Sequence, residues 1–402
     1  MNNRTLILLS KGVSYTGTKL FSFALSWYIL SQTGSGLSFS ISLVLNYVPS
    51  IVMSLFAGLL SDKTYHPNRL LVMCDVASAC VCVILLIWLN LSAVYCTIFL
   101  LSLISALFNN VLDTHLPNLY GIGEANDLKK LVSSMQFITS GVNILAPSIA
   151  GFLNIMFSVR LFAFINIVSF LLSAFGELFL QYRIKERIPK KPKAKERRCS
   201  TLCWLFGHKE FWPFLFGDAL TNFCVTAGIS VAVPFLVTNV FLISSGGYGL
   251  IISCLGIGSI LSALYQTKHP CKNDLRYPYG KVGSIGLLML LICVVLLIPY
   301  HLIVTVSILC ALEFTAGWLS VAINVKTITT FQLYVDECLR GKVLGTLTSI
   351  SYILIPLSLI LAGLATEFWP PYMLPAVSGG LLIAILGGMY LMDELRKNVQ
   401  NQ

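Results

Sequence analysis

Charged side chains deep inside long apolar stretches are the residues of this 402-residue sequence best suited to chemistry. Glu313 follows the apolar run Leu309–Leu312 and precedes Phe314. Lys19 and Asp218 stand in two other apolar stretches. A charge at the centre of a bilayer costs about 2.5–3.5 kcal/mol on insertion scales, so it needs a function or a partner. A carboxyl group there can bind and release a proton, and a lysine can pair with it or with a ligand.

The sequence surrounding these charges has the composition of a membrane protein. Hydrophobic residues make up 56%, charged residues only 11%, and the mean hydropathy is +0.82, which exceeds what a soluble core buries. A helix needs about 20 apolar residues to cross the hydrocarbon, and about twelve such stretches occur. They lie near residues 6–30, 37–60, 69–91, 94–113, 133–156, 160–182, 211–241, 248–266, 281–299, 302–325, 343–365 and 371–392. Leu287–Pro299 is continuously apolar rather than alternating, which favours helices over the strands of a barrel.

A basic segment divides these stretches into two sets of six. Nine Lys and Arg residues lie between Arg183 and Arg198. The sequence therefore predicts an all-α integral membrane protein with twelve transmembrane helices in two six-helix bundles. The predicted N-terminal bundle covers residues 1–182, the basic linker residues 183–210 and the C-terminal bundle residues 211–402.

The distribution of cations predicts the orientation, because cytoplasmic loops are enriched in Lys and Arg. Nearly all of the 27 Lys and Arg residues fall on one side if both termini are cytoplasmic, and Arg160 is the exception assigned to an external loop. We expect a multi-pass protein of the plasma membrane, the inner membrane of a bacterium. On this prediction Lys326, Arg340 and Lys342 lie in one cytoplasmic loop.

Three further acids are expected close to the cytoplasmic boundary. Asp75, Asp113 and Glu177 fall within about two helical turns of it on the predicted spans. At that depth they should reach water or nearby cations, which fits gating or anchoring better than proton transport across the midplane.

The loop between spans 2 and 3 carries the most specific local pattern, GLLSDKTYHPNR, from Gly58 to Arg69. This pattern resembles the signature of the major facilitator superfamily, and within it the twelve-helix drug exporters typified by macrolide efflux permeases and the enterobactin exporter. A glycine there permits close helix approach, and Asp62 can face a helix N-terminus. By resemblance, Gly58, Asp62 and Arg69 hold the cytoplasmic gate closed, and Asp113 is assigned to the same gate.

Span 5 carries a second match. Gly141–Gly151, with Pro147 inside, resembles the antiporter pattern of the same superfamily, with Ala146 and Ala150 replacing glycines. Small residues allow helices to pack closely, and a proline permits a bend. An ordinary proline kink explains this stretch equally well.

The resemblance implies a central cavity between the halves, lined by spans 1, 4, 7 and 10 among others. Glu313, Asp218 and Lys19 are the candidates for proton coupling or substrate binding, and an ion pair between Lys19 and Glu313 is the structural alternative. Aromatic and amide side chains suit a bulky amphipathic ligand. The candidate lining residues are Tyr15, Asn46, Asn143, Asn222, Trp318 and Tyr352.

The predicted function is secondary active export of a drug, macrolide or siderophore-like metabolite by alternating access, coupled to proton antiport. The alternatives are an importer of a siderophore or metal chelate, and a metal-ion exporter of related fold. We expect no cofactor, no resident metal and no nucleic-acid partner, a lipid environment and a monomer. A phosphate-binding G-x-x-x-x-G-K-[ST] loop is absent and the five histidines are dispersed, which disfavours an ATP-driven pump and a membrane enzyme.

Overall fold

A computed structural model describes residues 3–63, 66–116, 119, 125–182, 207–269, 275–297, 301–335, 337–370 and 372–400. Twelve long helices account for most of this part of the chain. They are α1 (Asn3–Thr33), α2 (Gly36–Lys63), α3 (Pro67–Ile87), α4 (Leu91–His115), α5 (Ala125–Met156), α6 (Val159–Leu178), α7 (Trp212–Asn239), α8 (Ser245–Lys268), α9 (Tyr279–Leu297), α10 (Leu302–Tyr334), α11 (Glu337–Phe368) and α12 (Met373–Gln400). The prediction of twelve membrane helices is confirmed.

Helix α7 changes its winding in the middle. Residues Thr226–Val231 form a π-helical segment between α-helical Trp212–Val225 and Ala232–Asn239. Such a segment widens one turn, and it is not signalled by hydropathy.

Helix α10 is longer than the apolar stretch that predicted it. It continues to Tyr334, so Lys326 lies in the helix and not in a loop, and its side chain is only 7% exposed. The placement of Lys326 in a cytoplasmic loop is therefore wrong. Hydropathy marks only the apolar part of a helix, and α10 continues through the polar sequence KTITT beyond it.

Eight helices in the described residues are long and apolar enough to cross a membrane, and three shorter apolar segments lie in α2, α9 and α11. Helix α1, which holds Lys11 and Lys19 among serines and threonines, is among the more polar of the twelve. Many large apolar side chains are exposed along the helices, for example Phe164, Leu172 and Ile303, as expected for surfaces that face lipid.

The chain folds into two compact units. Unit 1 comprises Met1–Thr33, Ser42–Lys191 and Ser244–Leu250, and unit 2 comprises the remainder. The linker prediction falls mostly on residues 183–206, outside the described part of the chain, and the predicted bundle boundaries remain predictions.

In unit 1, α6 packs against α1 and α3, α5 packs against α1, and α4 packs against α3. The start of α8 crosses α5 through glycines. A Cβ atom on Gly151 would meet the carbonyl oxygen of Ser245, and one on Gly249 would meet that of Pro147. The Ser245 hydroxyl donates to the Gly151 carbonyl at 2.9 Å. Close packing at the small residues of span 5 is thus present, with Pro147 inside the helix.

In unit 2, α9 packs against α10 and α12, and α7 packs against α11 and α12. Helices α8 and α10 approach so closely that a Cβ atom on Gly258 would meet the Phe314 carbonyl, and one on Gly317 the Leu255 carbonyl. The Ser259 hydroxyl also donates to the Gly317 carbonyl at 3.3 Å. This crossing fixes the turn of α10 that follows Glu313.

Candidate functional site

A cavity of about 190 Å³ lies inside unit 1 between α1, α2, α3, α4 and α6. Its wall combines cationic, acidic, amide, phenol and hydroxyl groups with apolar side chains. The polar groups that bear on function belong to Lys11, Lys19, Asp75, Tyr15, Asn46 and Ser102. Such a wall can bind a ligand that has both polar and apolar parts.

Helix α1 supplies much of this wall through a polar stripe. Lys11, Tyr15, Thr18, Ser22 and Ser26 follow one another at intervals of three or four residues, and all five line the cavity. This spacing keeps side chains on one face of a helix. The stripe is visible in the sequence, and it is the signal that would have added Lys11 to the candidate residues.

Hydrogen bonds hold several wall residues in place. The Tyr15 hydroxyl donates to Oδ1 of Asn143 on α5 at 2.9 Å, and Lys19 Nζ lies 5.2 Å from the centroid of the Tyr15 ring. The Ser102 hydroxyl on α4 donates to the carbonyl oxygen of Asn46 on α2 at 2.5 Å. The structure thus brings together Tyr15, Lys19 and Asn46 in the wall and places Asn143 directly behind it.

Two acids of unit 1 are buried, contrary to the expectation that they reach bulk water, although Asp75 lines the cavity. Asp75 on α3 is 3% exposed, and Glu177 on α6 is 2% exposed. The Ser173 hydroxyl donates to Oε1 of Glu177 at 3.4 Å and lies beside the Asp75 carboxyl group. The expectation fails because α3 and α6 pack along their length and bury the facing side chains, a tertiary contact that hydropathy does not reveal.

In unit 2, Glu313 on α10 is 3% exposed. Among the described residues, the Glu313 carboxyl group has no hydrogen bond and no cation beside it. An isolated buried carboxyl group is favoured in its neutral, protonated form. Glu313 therefore has the environment expected of a proton carrier. Its pairing with Lys19 remains a prediction.

Asp218 on α7 has a different environment. Tyr277, which precedes α9, donates its hydroxyl to Oδ1 of Asp218 at 3.3 Å, and Thr327 of α10 lies beside the same carboxyl group. Burial, and then the charge of Asp218, raises the pKa of Tyr277 well above its usual value, so the phenol remains a donor. Asp218 is thus a hydrogen-bonded acid at a junction between three parts of unit 2.

Two other candidates of unit 2 have partners close by. The Asn222 side-chain amide donates to the carbonyl oxygen of Asp218, one turn earlier on α7, at 3.0 Å. Trp318 packs against Tyr265 of α8, with 5.5 Å between ring centroids, and its carbonyl oxygen accepts from Ser262. Both contacts are those of helix packing.

The gate candidates are only partly described. Arg69 and Asp113 are exposed, and the Asp113 carboxylate attracts the ammonium group of Lys11. Only the backbone of Gly58, Asp62 and Tyr352 belongs to the described part of the chain, and it is helical, in α2 and α11. The described residues contain no group of three or more His, Cys, Asp and Glu side chains placed to hold a metal ion.

Residues 7–325 match the sequence profile of the Major Facilitator Superfamily. The chain belongs to the major facilitator superfamily. A search of curated proteins finds no significant match. Among solved structures, the nucleoside transporter NupG is similar with a TM-score of 0.72 and 13% identity, over 98% of this chain and 99% of that chain. Superfamily membership makes this chain a multi-pass membrane transporter.

Other solved structures share the fold at equally low identity. A bacterial homologue of the iron transporter ferroportin, in an inward-facing state, has a TM-score of 0.70 and 13% identity, over 96% of this chain and 97% of that chain. The peptide transporter POT in complex with sulfate has a TM-score of 0.67 and 13% identity, over 98% of this chain and 94% of that chain. These likenesses concern the fold, which continues beyond residue 325.

Proposed function

We propose that this chain is a secondary active transporter that exports a bulky amphipathic small molecule from the cytoplasm by alternating access, with proton entry as the driving force. The observation that carries the proposal is the cavity of unit 1, where Lys11 and Lys19 stand among hydroxyl, amide and phenol groups. The resemblance of the loop between α2 and α3 to drug and enterobactin exporters supports the direction. Glu313 and Asp218 are the acids of unit 2 proposed to carry protons.

The cavity favours one part of the proposed substrate range. Two ammonium groups face one carboxyl group in its wall, and the hydroxyl and amide groups offer hydrogen bonds to oxygen-rich ligands. A ligand with anionic or catechol-like oxygens therefore fits better than a lipophilic cation. This supports a siderophore-like metabolite over a basic macrolide. Uptake of a siderophore or metal chelate remains the alternative, because the same wall would bind it.

The remaining assignments of this proposal follow the superfamily resemblance. Gly58, Asp62, Arg69 and Asp113 form the cytoplasmic gate, and the attraction between Asp113 and Lys11 would connect that gate to the cavity wall. The protein works as a monomer in the plasma membrane with both termini in the cytoplasm.

Thermal unfolding of the purified full chain with three probes tests the substrate class. A ferric catecholate siderophore should stabilise the protein, by about 2.7 kcal/mol at 100 times its dissociation constant. A macrolide and tetraphenylphosphonium should stabilise it less. Lys19→Gln should remove most of the effect, whereas Lys281→Gln, at an exposed lysine at the start of α9, should keep it. Stabilisation by the ferric catecholate that is equal in all three proteins, or stronger stabilisation of the wild type by tetraphenylphosphonium, would contradict the proposal.

The direction of transport needs a separate measurement. Inverted membrane vesicles with an acidic interior should accumulate the ferric catecholate if export is coupled to protons. Accumulation only in right-side-out vesicles would instead establish uptake, the alternative function.

A further inference from the structure

The buried acids of unit 1 form a pair that the proposed function does not use. Asp75 and Glu177 lie on adjacent helices, are almost fully buried, and interact electrostatically. The Ser173 hydroxyl lies between them. One oxygen of each carboxyl group, Oδ2 of Asp75 and Oε2 of Glu177, has no hydrogen-bond partner among the described residues.

Few neighbouring groups are placed to form hydrogen bonds with these two oxygens. Cys74 is the neighbour of Asp75 on α3, and from α1 the Ser10 hydroxyl approaches Gly176 beside Glu177. After α6, the buried hydroxyl of Tyr182 also lacks a partner among the described residues, and the Tyr182 ring meets His115 of α4 edge to face at 6.4 Å. Two lysines of α1, Lys11 and Lys19, share the cavity wall with Asp75.

Electrostatics sets the state of such a pair. Two ionised carboxylates side by side in a water-poor interior repel each other, and burying even one unpaired charge costs several kcal/mol. Two carboxyl groups that share a site therefore hold a proton between them, and they titrate as a unit. A proton on one of the unpartnered oxygens would also turn that oxygen into a hydrogen-bond donor.

The cavity gives this pair access to the transport pathway. Asp75 is itself a wall residue of the cavity, together with Lys11, Lys19 and Tyr15, whereas Glu177 lies behind it. A ligand or water in the cavity can thus reach the Asp75 end of the pair. Binding or departure of a ligand in the cavity would thus change the electrostatic environment of Asp75 and, with it, the affinity of the pair for its proton.

We propose that Asp75 and Glu177 hold one exchangeable proton between their carboxyl groups and exchange it with the cavity through Asp75, which makes this pair the proton-coupling site of unit 1. The proton binds a carboxylate oxygen from cavity water and leaves by the same route. This inference rests on the proposed proton-coupled transport and adds a proton site in unit 1 to the acids proposed in unit 2, Glu313 and Asp218.

Infrared difference spectroscopy of the purified full chain tests whether the proton is there. At about pH 7, where solvated Asp and Glu side chains are ionised, the wild type should show a carboxylic acid carbonyl band that shifts in deuterated water. Because Glu313 can give a band of the same kind, the variants are compared with one another: Glu177→Gln and Asp75→Asn should each lose the component of this band that belongs to the pair, and Glu313→Gln should keep it. The control Glu394→Gln, an exposed acid bonded by Tyr390 on the same helix, should keep it.

A milder variant keeps the test decisive if the amide variants do not fold. Ser173→Ala retains both carboxyl groups and removes the hydroxyl that they share, so the band should persist and shift in position. A spectrum that is identical in wild type, Ser173→Ala and whichever amide variant folds would overturn the proposal.

Transport separates this inference from the proposed function. In proteoliposomes with an imposed pH gradient, Glu177→Gln should still be stabilised by the ferric catecholate but lose gradient-driven transport of it. Gradient-driven transport equal to that of the wild type would overturn the coupling role. If the wild type itself moves no ferric catecholate under the gradient, the proposed function fails, and the infrared result alone decides whether the pair holds a proton.

Discussion

Two helix pairs of this protein, α3 with α6 and α9 with α12, each accommodate a carboxyl group, but they surround it with opposite kinds of neighbour. Each pair is closely packed and each includes a carboxyl group in the later part of its second helix. In α9–α12, Tyr279 donates its hydroxyl to Oδ2 of Asp393 at 2.6 Å. In α3–α6, Glu177 faces a second acid, Asp75, and one oxygen of each has no partner in the described part of the chain.

The contacts inside the two pairs also differ in polarity. Gly286 and Gly379 bring the backbones of α9 and α12 into contact. Between α3 and α6, in contrast, the buried contacts include polar side chains, such as the Asn166 amide bonded to the Cys82 sulfur at 3.6 Å. A stable interface favours the first arrangement, because buried polar groups without partners cost free energy. The second arrangement lies next to a cavity, and local conflicts of this kind are expected at functional sites, which supports the proton site proposed above.

The largest effect on this comparison is expected from Gly379→Val. A Cβ atom there would lie 2.6 Å from the carbonyl oxygen of Gly286, and a backbone atom cannot move aside cheaply. Overpacking of this kind costs about 1–3 kcal/mol, and we expect the upper end. Thermal unfolding of the purified protein measures it. Gly380→Val is the matched control, since nothing in the described residues lies within 4 Å of a Cβ atom at that position. Equal destabilisation by both would show that α9 and α12 are not tightly packed.

A smaller loss of stability is expected from Ser173→Ala in α3–α6. The change removes the hydroxyl that donates to Glu177 and lies beside Asp75, and an unsatisfied buried acceptor costs about 2 kcal/mol. Ser284→Ala in α9 is the control, because that exposed hydroxyl bonds its own helix, at the Gly280 carbonyl. Its unfolding temperature should stay close to that of the wild type. If Ser173→Ala also left the unfolding temperature unchanged, groups other than Ser173 would supply the hydrogen bonds of the two acids.

Much of the fold follows from the sequence, because apolar length alone identifies a membrane helix. The predicted stretches coincide with the twelve helices, and the depth of Glu313 in an apolar run corresponds to its burial. The errors arise where polar residues belong to a helix. The apolar stretch ends at residue 325 and so predicts a loop at Lys326, although α10 continues to Tyr334.

The site is less predictable, because it depends on which helices are neighbours. Asp75 and Glu177 are about a hundred residues apart in the sequence, and only the packing of α3 against α6 brings them together. The polar stripe of α1 can be read from its spacing, and it adds Lys11 to the candidates. The π-helical turn of α7 and the bond from Tyr277 to Asp218 leave no comparable periodic signal.

The smallest expected effect tests α9–α12, the pair in which the carboxyl group has a hydrogen-bond partner. Tyr279→Phe removes the donor to Asp393, and because that carboxyl group is only partly buried, water can replace the lost bond. A typical net cost is about 0.5–1.5 kcal/mol, measured by thermal unfolding. Tyr390→Phe is the control, since its hydroxyl bonds the exposed Glu394 at 3.2 Å within α12 and should matter less. A loss for Tyr279→Phe larger than that for Ser173→Ala would reverse the ranking of the two helix pairs. The bond that completes α9–α12 would then contribute more than the hydroxyl between the paired acids, and the α3–α6 acids would have to be stabilised mainly by their own shared proton.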